Sequence, residues 1–169
     1  MRIATENDRP AITKHVLSYY LQLIEETPDP EEYMHQIARV HSTFPHLFDA
    51  DIFAKGHHLI MYDLMANVVA TAGLTPGDDG EWKLVSVYVD KQFRGHGLAT
   101  TFVKELIAVA KKIGAKRITL CTLPNHMPIA SKLYMNLGFE LTKEVRPTEY
   151  AFSKGRRSMV YHFYMLQLE

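Results

Sequence analysis

The sequence predicts a mixed α/β fold in one domain of 169 residues, with a central mixed sheet of about six or seven strands flanked by about four helices. A run rich in Val and Tyr, Leu84 to Val89, ends at a glycine-containing turn, and an apolar-periodic helix starts near Leu98. The run Lys116 to Thr122 follows that helix directly. Strand, helix and strand then form a βαβ unit, whose two strands are parallel.

Further elements are expected before this unit, separated by turn residues. They are a short strand (Arg2 to Ala4), a helix capped by Thr5 or Asn7 and carrying Ile12, Val16, Tyr19, Tyr20, Leu23 and Ile24 at helical spacing, a second helix from about Glu31 to Pro45, and a hairpin of His57 to Asp63 with Asn67 to Leu74. The segment Thr75 to Gly80 has the composition of a loop that leads into the central strand.

The second half of the chain supplies the remaining helices and strands. The helix after the glycine turn is expected to bury Phe102, Val103, Leu106, Ile107, Ala110 and Ile113 and to end at Gly114. A short helix runs from Pro128 through Leu137, strands follow at Phe139 to Val145 and Ser158 to Leu168, and Arg146 to Arg157 between them forms a solvated polar loop rather than a binding patch.

The turn between strand and helix, Asp90 to Gly97, has the composition of a phosphate-binding site. Gly95 and Gly97 allow close approach of a ligand to the backbone, and the following helix offers unpaired N–H groups and the positive end of its dipole. A Walker loop is excluded because no Lys-Ser/Thr pair closes the turn. A dinucleotide fingerprint is excluded because its third small residue and its later acidic residue are both missing.

The turn resembles the Gln/Arg-x-x-Gly-x-Gly/Ala motif of the GNAT superfamily of N-acetyltransferases. It fits in two registers, one beginning at Gln92 and one at Arg94. About thirty residues further on, the segment Asn125 to Phe139 is similar to that family's Asn-x(4)-Ala-x(3)-Tyr-x(3)-Gly-Phe segment. The two motifs together span roughly Leu84 to Phe139 and imply a GNAT-like sheet and the use of acetyl-CoA.

The resemblance also implies roles for individual residues. The pyrophosphate would lie on the N–H groups of Arg94, Gly95, His96, Gly97, Leu98, Ala99 and Thr100, with a side-chain contact from Arg94 or Gln92. The pantetheine arm would pair with the backbone of Val87, Tyr88 and Val89, Ala130 would permit its close approach, and Asn125 would contact the cofactor or a bridging water, cap the short helix, or both. The early helices and their loop would form a wall of the acceptor cleft, with His35, His41, Phe44, His46 and Phe48 facing the substrate.

Tyr134 is the predicted general acid, a role that the resemblance implies for a tyrosine at this place. It lies four residues after Ala130, on the same helix face. A tyrosine pKa of about 10 lies close enough to the value of about 8.5 for a thiol to allow proton delivery to the leaving thiolate. The plainer alternative is a packed aromatic residue.

An attacking amine must arrive neutral, so a base is needed, either directly or through water. Glu81, eleven residues before Gln92, is one candidate, because some family members have a catalytic glutamate at this spacing; it also has the sequence context of an exposed loop end. His126 is a second candidate, with a surface or capping histidine as its plainer interpretation. Ordered water is the third.

Composition limits the other classes of function. The chain has 19 basic and 19 acidic residues, so no overall charge attracts nucleic acid or an anionic membrane. No signal peptide or membrane-spanning run is evident, and a cytoplasmic location is expected. Cys121 is the only cysteine and is expected to be a small buried residue. His57 and His58 lack a third ligand, so a structural role is favoured and no metal is expected.

The predicted function is therefore transfer of an acetyl group from acetyl-CoA to a primary amine by direct attack. A small-molecule acceptor, such as a polyamine, an amino sugar or an amino acid analogue, is favoured, since no patch is charged enough to indicate a peptide partner. Acetylation of a protein N-terminus or lysine is the alternative within the enzyme class. A non-catalytic acyl-CoA-binding or sensing module is the alternative from another class. The protein is expected to be a monomer or a homodimer.

Overall fold

A computed structural model of the chain describes residues 1–25, 50–124, 127–145 and 160–168. Several sequence predictions lie outside these residues: the second helix from Glu31 to Pro45 with its histidines and phenylalanines, the polar loop from Arg146 to Arg157, and both Asn125 and His126. These remain predictions.

Seven strands form one mixed sheet. They are β1 (Arg2–Ile3), β2 (His57–Tyr62), β3 (Val68–Pro76), β4 (Glu81–Val89), β5 (Arg117–Thr122), β6 (Glu140–Val145) and β7 (Tyr161–Gln167). Their spatial order is β1-β2-β3-β4-β5-β7-β6. β4 and β5 pair in parallel, as the βαβ prediction requires, and the other neighbouring strands pair antiparallel.

Four α-helices are described: α1 (Arg9–Glu25), α2 (Ala50–Lys55), α3 (Leu98–Lys112) and α4 (Pro128–Asn136). The predicted mixed α/β architecture of about seven strands and four helices is confirmed. Gly114 and Gly138 follow α3 and α4 with φ values of +74° and +89°, the left-handed conformation in which glycine commonly ends a helix. The predicted helix ends are therefore close to the observed ones, whereas α2 was not anticipated.

The helices cover both faces of the sheet. Leu59 and Ile60 are consecutive on β2, so their side chains point to opposite faces. Leu59 belongs to the larger core, in which α3 contributes Phe102 and other buried residues. Ile60 belongs to a smaller core with Ile12 of α1 and Phe53 of α2. The α1 face and the α3 face of the sheet are therefore distinct sides, and both reach the cleft described below.

The central strand β4 is irregular at the point where the cleft begins. The register with β3 shifts between Thr71 and Gly73, and Ser86 has a φ of +54°, which is uncommon for a residue other than glycine. The Thr71 hydroxyl donates a hydrogen bond of 3.0 Å to the Ser86 carbonyl. On its other edge β4 pairs with β5 only from Glu81 to Lys83. Beyond Lys83 the two parallel strands diverge.

The start of α1 is fixed to the sheet by the buried carboxylate of Asp8. Arg2 donates hydrogen bonds of 2.7 and 2.6 Å to the two carboxylate oxygens, and the Tyr62 hydroxyl donates another of 2.8 Å. The Thr5 backbone N–H donates a fourth, of 2.7 Å. The Arg2 hydrogen bond is the largest cause that holds the pKa of Asp8 well below its usual range. Asp8 therefore ties β1, β2 and α1 together as a carboxylate.

Three sequence expectations need correction. Cys121 is exposed because burial alternates along β5 and Leu120 and Thr122 face inward. Ile113 is 39% exposed because it follows the last turn of α3. Thr75 and Pro76 belong to β3, paired with Lys83 and Trp82, rather than to a loop. In the described part of the chain, no helix is long and apolar enough to span a membrane.

His58 is a buried histidine stacked on Phe53 of α2, with ring centroids 4.3 Å apart. Gly73 leaves room for the ring, since a Cβ there would lie 2.4 Å from His58 Nδ1. The Nε2 atom is buried and has no hydrogen-bond partner among the described residues. Burial is the main cause that lowers the pKa of His58 to about 4, so the ring is neutral at neutral pH.

Because His58 is buried and neutral, we expect the free energy of unfolding to decrease in mild acid. Between the unfolded pKa of about 6.5 and the folded pKa of about 4, the unfolded state binds a proton that the folded state does not. The free energy of unfolding should fall by about 2 kcal/mol between pH 7.5 and pH 5 from this group alone. Urea denaturation at both pH values should show that loss in the wild type and in the exposed-site control His96→Gln. The loss should be smaller by about that amount in His58→Phe, and an equal loss in all three proteins would contradict the assignment.

Candidate active site

A cleft of about 470 Å³ opens where β4 and β5 diverge. Its walls are the end of β4, the turn after it, the first residues of α3, residues 128–134 of α4, and one face of α1. This volume is within the usual range for a small-molecule site. The cleft also reaches both faces of the sheet, since α1 and α3 lie on opposite sides.

Most of the predicted site residues lie together in this cleft. Those that line it are Val87, Tyr88, Val89, Arg94, Gly95, Gly97, Leu98, Ala99, Thr100, Ala130 and Tyr134. Gln92 and His96 are exposed in the turn and do not line the cleft. The His96 ring instead lies against the preceding backbone, with Nδ1 3.3 Å from the Phe93 carbonyl oxygen.

The turn from residue 95 to residue 100 presents a series of free backbone donors. None of these N–H groups has an acceptor in the described part of the chain. The first backbone bond of α3 is donated by Thr101 to the Gly97 carbonyl, at 3.0 Å. Gly95 and Gly97 have φ values of +83° and +75°, and a Cβ on either would meet no atom within 4 Å. The turn is therefore an open concave surface of N–H groups, which suits a phosphate group.

Tyr134 lies on α4, is buried, and is one of the residues that line the cleft. The ring packs edge-on against Phe139, at 5.8 Å between centroids, and beside Tyr164, at 6.3 Å. In the described part of the chain its hydroxyl makes no hydrogen bond. Burial raises the pKa of Tyr134 to about 12 because desolvation disfavours the phenolate. The hydroxyl is therefore a neutral donor at physiological pH, and its pKa is further from that of a thiol than the sequence suggested.

Glu81 lies at the opposite end of β4 from the turn. Its carboxylate Oε2 accepts a hydrogen bond of 3.2 Å from Arg117 Nε on β5, and it does not line the cleft. Six residues of strand separate it from Val87, which corresponds to roughly 20 Å. The structure thus gives Glu81 an ion pair that holds the paired ends of β4 and β5. The structure does not test its predicted role as a base.

Seven residues that line the cleft were not predicted as site residues: Tyr19, Gln22, Phe93, Met127, Pro128, Ile129 and Leu133. Tyr19 and Gln22 are three apart on α1 and therefore share a face of that helix. The Tyr19 hydroxyl also contacts the Met127 sulfur, at 2.8 Å, which joins α1 to the residue just before α4. Helical spacing identified Tyr19 as an inward-facing residue, but nothing in the sequence placed that face over β4.

Tyr88 connects α1 to the glycine turn. Its ring packs against Tyr19, with centroids 4.1 Å apart, and against His15, at 4.8 Å. Its hydroxyl donates to Gln22 Oε1 at 3.4 Å and accepts from Arg94 Nη2 at 3.5 Å. Burial is the largest cause that raises the pKa of Tyr88. Tyr88 therefore also enters the cleft as a neutral phenol.

No group of three or more metal-ligating side chains occurs among the described residues. His58 is instead stacked on Phe53, and His57 lies against Trp82, with ring centroids 5.4 Å apart. The structural interpretation of the two histidines is consistent with these contacts.

The acetyltransferase (GNAT) family model matches residues 19–139, which is more than half of the chain, and the protein therefore belongs to this acetyltransferase family. The matched region begins within α1 and ends just after α4, so it includes every element that forms the cleft. The predicted resemblance to the GNAT superfamily is confirmed.

Crystal structures of family members share the fold. An N-acetyltransferase from Staphylococcus aureus Mu50 is 19% identical, with 99% of this chain and 97% of that chain covered and a TM-score of 0.67. A GNAT superfamily phosphinothricin acetyltransferase from Sinorhizobium meliloti, in complex with AcCoA, is 20% identical, with coverages of 99% and 86% and a TM-score of 0.66. A Bacillus subtilis acetyltransferase in complex with CoA is 19% identical, with coverages of 71% and 82% and a TM-score of 0.58.

Proposed function

We propose that this acetyltransferase transfers the acetyl group of acetyl-CoA to the primary amine of a small molecule. The observation that carries the proposal is the single cleft that joins a turn of free N–H groups, an unpaired edge of β4 and the hydroxyl of Tyr134. These are the parts needed to bind a phosphate group, an extended arm and a leaving sulfur.

Acetyl-CoA fits this arrangement. The N–H groups of residues 95–100 would hold the pyrophosphate, and the absence of side chains at Gly95 and Gly97 permits its approach. The pantetheine amides would pair with the edge of β4 that β5 leaves free after Lys83. Two of the crystal structures that share the fold are complexes with AcCoA or CoA, which supports the same co-substrate here.

The reaction forms one C–N bond and breaks one C–S bond. The neutral amine attacks the thioester carbonyl, the nitrogen loses a proton, and CoA leaves as a thiolate. The pKa of Tyr134, about 12, exceeds that of a thiol by about 3.5 units, so full transfer of its proton would cost about 5 kcal/mol. We therefore assign to Tyr134 a hydrogen bond to the developing thiolate, which finally takes its proton from water through that hydroxyl.

Water is the base that the described geometry supports. Glu81 is paired with Arg117 outside the cleft, and His126 lies outside the described residues. An amine with a pKa near 10 is mostly protonated at neutral pH, so its neutral fraction limits the rate and activity should rise with pH. The fall in rate towards low pH, the acidic limb of the pH–rate profile, then reflects protonation of the acceptor amine.

The first prediction of this proposal concerns the turn with Gly95 and Gly97. Gly97→Ala should raise the Kd of acetyl-CoA at least tenfold, because its methyl group projects into open space needed by the phosphate. Gly114→Ala is the matched control, since Gly114 has nearly the same φ, +74° against +75°, and an equally open surrounding at the other end of α3. Both variants should lose about 1 kcal/mol of stability from the left-handed conformation. Calorimetric titration that gives both variants the same Kd would contradict the phosphate site.

The second prediction concerns Tyr134. Tyr134→Phe removes a hydroxyl that makes no hydrogen bond to any described residue, so the variant should fold and keep the Kd of acetyl-CoA within about threefold. Its kcat should fall at least tenfold, which corresponds to about 1.4 kcal/mol of lost transition-state stabilisation. Tyr164→Phe, at the neighbouring ring, should keep the wild-type kcat. Because the pKa of Tyr134 is about 12, ionisation of its hydroxyl should cause no fall in the wild-type rate below pH 10. An unchanged kcat in Tyr134→Phe would exclude the role.

The third prediction tests whether Glu81 is the base. Glu81→Gln should lower the free energy of unfolding by less than about 1 kcal/mol, since the pair with Arg117 is partly exposed. The acidic limb and the plateau of the rate profile should stay where they are in the wild type. Arg117→Gln, which breaks the same ion pair from the other side, is the control. A limb that disappears only in Glu81→Gln would show instead that this carboxylate is the base.

A further inference from the structure

Arg94 is the only charged side chain among the described residues that line the cleft. Its Nε donates to the Val89 carbonyl at 2.9 Å, and its Nη2 reaches the Tyr88 hydroxyl at 3.5 Å. No ion pair joins it to an acid in the described part of the chain. A guanidinium has five N–H donors, and two of them are used by the described residues, so most of its donor capacity is left for a ligand by this part of the chain.

The Arg94 guanidinium is held on the α1 side of the cleft. Its Cζ lies 5.6 Å from the centre of the Tyr88 ring, and that ring in turn packs against Tyr19 of α1 at 4.1 Å. Gln22, also on α1, accepts from the Tyr88 hydroxyl. The cation therefore lies with the α1 residues, whereas the hydroxyl assigned to the leaving sulfur comes from α4.

The nearest acid along the chain, Asp90, lies near the same Tyr88 hydroxyl as Arg94 and acts on the pKa of that hydroxyl in the opposite direction, but it forms no direct ion pair with Arg94. The Oδ1 atom of Asp90 lies 3.7 Å from Nδ1 of the buried His15. The remaining described lining on this side is aromatic or amide, from Tyr19, Tyr88 and Gln22. The α1 side thus has a fixed positive charge beside two aromatic rings, and none of its described lining residues is acidic.

Resting on the proposed function, we propose that the amine acceptor also carries a carboxylate, and that Arg94 binds this carboxylate. A guanidinium recognises a carboxylate through parallel N–H donors, which fixes the orientation of the bound molecule. The rings of Tyr19 and Tyr88 contact the carbon skeleton, and the amine then points towards the thioester. An amino acid or a close analogue fits this subsite, whereas a polyamine would meet a like charge and find no carboxylate among the described lining residues.

The test compares acceptors of matched size with and without a carboxylate, in the wild type and in Arg94 variants, so that their different amine pKa values affect every protein alike. Wild-type protein with saturating acetyl-CoA is assayed for CoA release with a panel of amino acids, the matching amino acid carboxamides, polyamines and amino sugars. A carboxamide keeps the size and the amine of its amino acid and lacks the negative charge. The same pairs are assayed with Arg94→Met, with Arg94→Lys, and with the control Lys91→Met, which removes an exposed cation three residues earlier that does not line the cleft.

The expected result is that the ratio of kcat/KM values, acid over carboxamide, is at least tenfold lower in Arg94→Met than in the wild type, mainly through the KM of the acid. Lys91→Met should keep the wild-type ratio, and Arg94→Lys should restore part of it. Because the same pair is compared between proteins, the intrinsic difference in amine pKa cancels from this change. The Kd of acetyl-CoA, measured by calorimetry, should change less than threefold in Arg94→Met.

Two outcomes would overturn the inference while leaving the proposed function intact. One is acetylation of polyamines by the wild type with a kcat/KM above that of every amino acid in the panel. The other is an acid-over-carboxamide ratio that survives in Arg94→Met while the Kd of acetyl-CoA rises tenfold or more, which would assign Arg94 to the cofactor phosphates. If the wild type binds no acetyl-CoA and acetylates no amine of the panel, the proposed function itself fails, and the inference fails with it.

Discussion

The divergence of β4 from β5 is the constraint on which the rest of the site depends. Two parallel strands normally continue their hydrogen bonds along their length, but here the pairing stops after Lys83, and Ser86 adopts a positive φ where the register with β3 shifts. The unpaired edge of β4 would be costly if it were buried dry. Its position in an open cleft, next to the free N–H groups of the turn, explains how the sheet tolerates it.

Burial sets the chemistry of the groups that face this cleft. The Tyr134 and Tyr88 hydroxyls are both kept neutral because desolvation raises their pKa values. Arg94 is anchored by the Val89 carbonyl. Among the described residues, the lining thus combines neutral donors with one cationic side chain on the α1 side, which suits a polyanionic co-substrate and, by the inference above, an anionic acceptor.

Helix α1 joins the strands β1 and β2 to one side of the cleft. Its beginning is fixed to β1 and β2 through the carboxylate of Asp8, and its middle packs Ile12 and Val16 into the smaller core. The same helix then carries Tyr19 and Gln22 over Tyr88. Because helix positions three and four apart share a face, the packing that stabilises α1 also determines which of its residues reach the site.

The sequence alone determined the order of the elements around the βαβ unit, the glycine turn and the family, because strand composition, turn chemistry and motif spacing are local properties. It also predicted that Ala130 and Tyr134 lie on one short helix, which is α4 of the structure. Only the tertiary structure decided that Glu81 pairs with Arg117, that Cys121 is exposed, and that Tyr19 and Gln22 line the cleft, since each depends on which distant segment packs opposite. The pKa of Tyr134 and the direction of the Arg94 side chain likewise come from surroundings that no local pattern records: burial among Phe139 and Tyr164, and stacking on Tyr88.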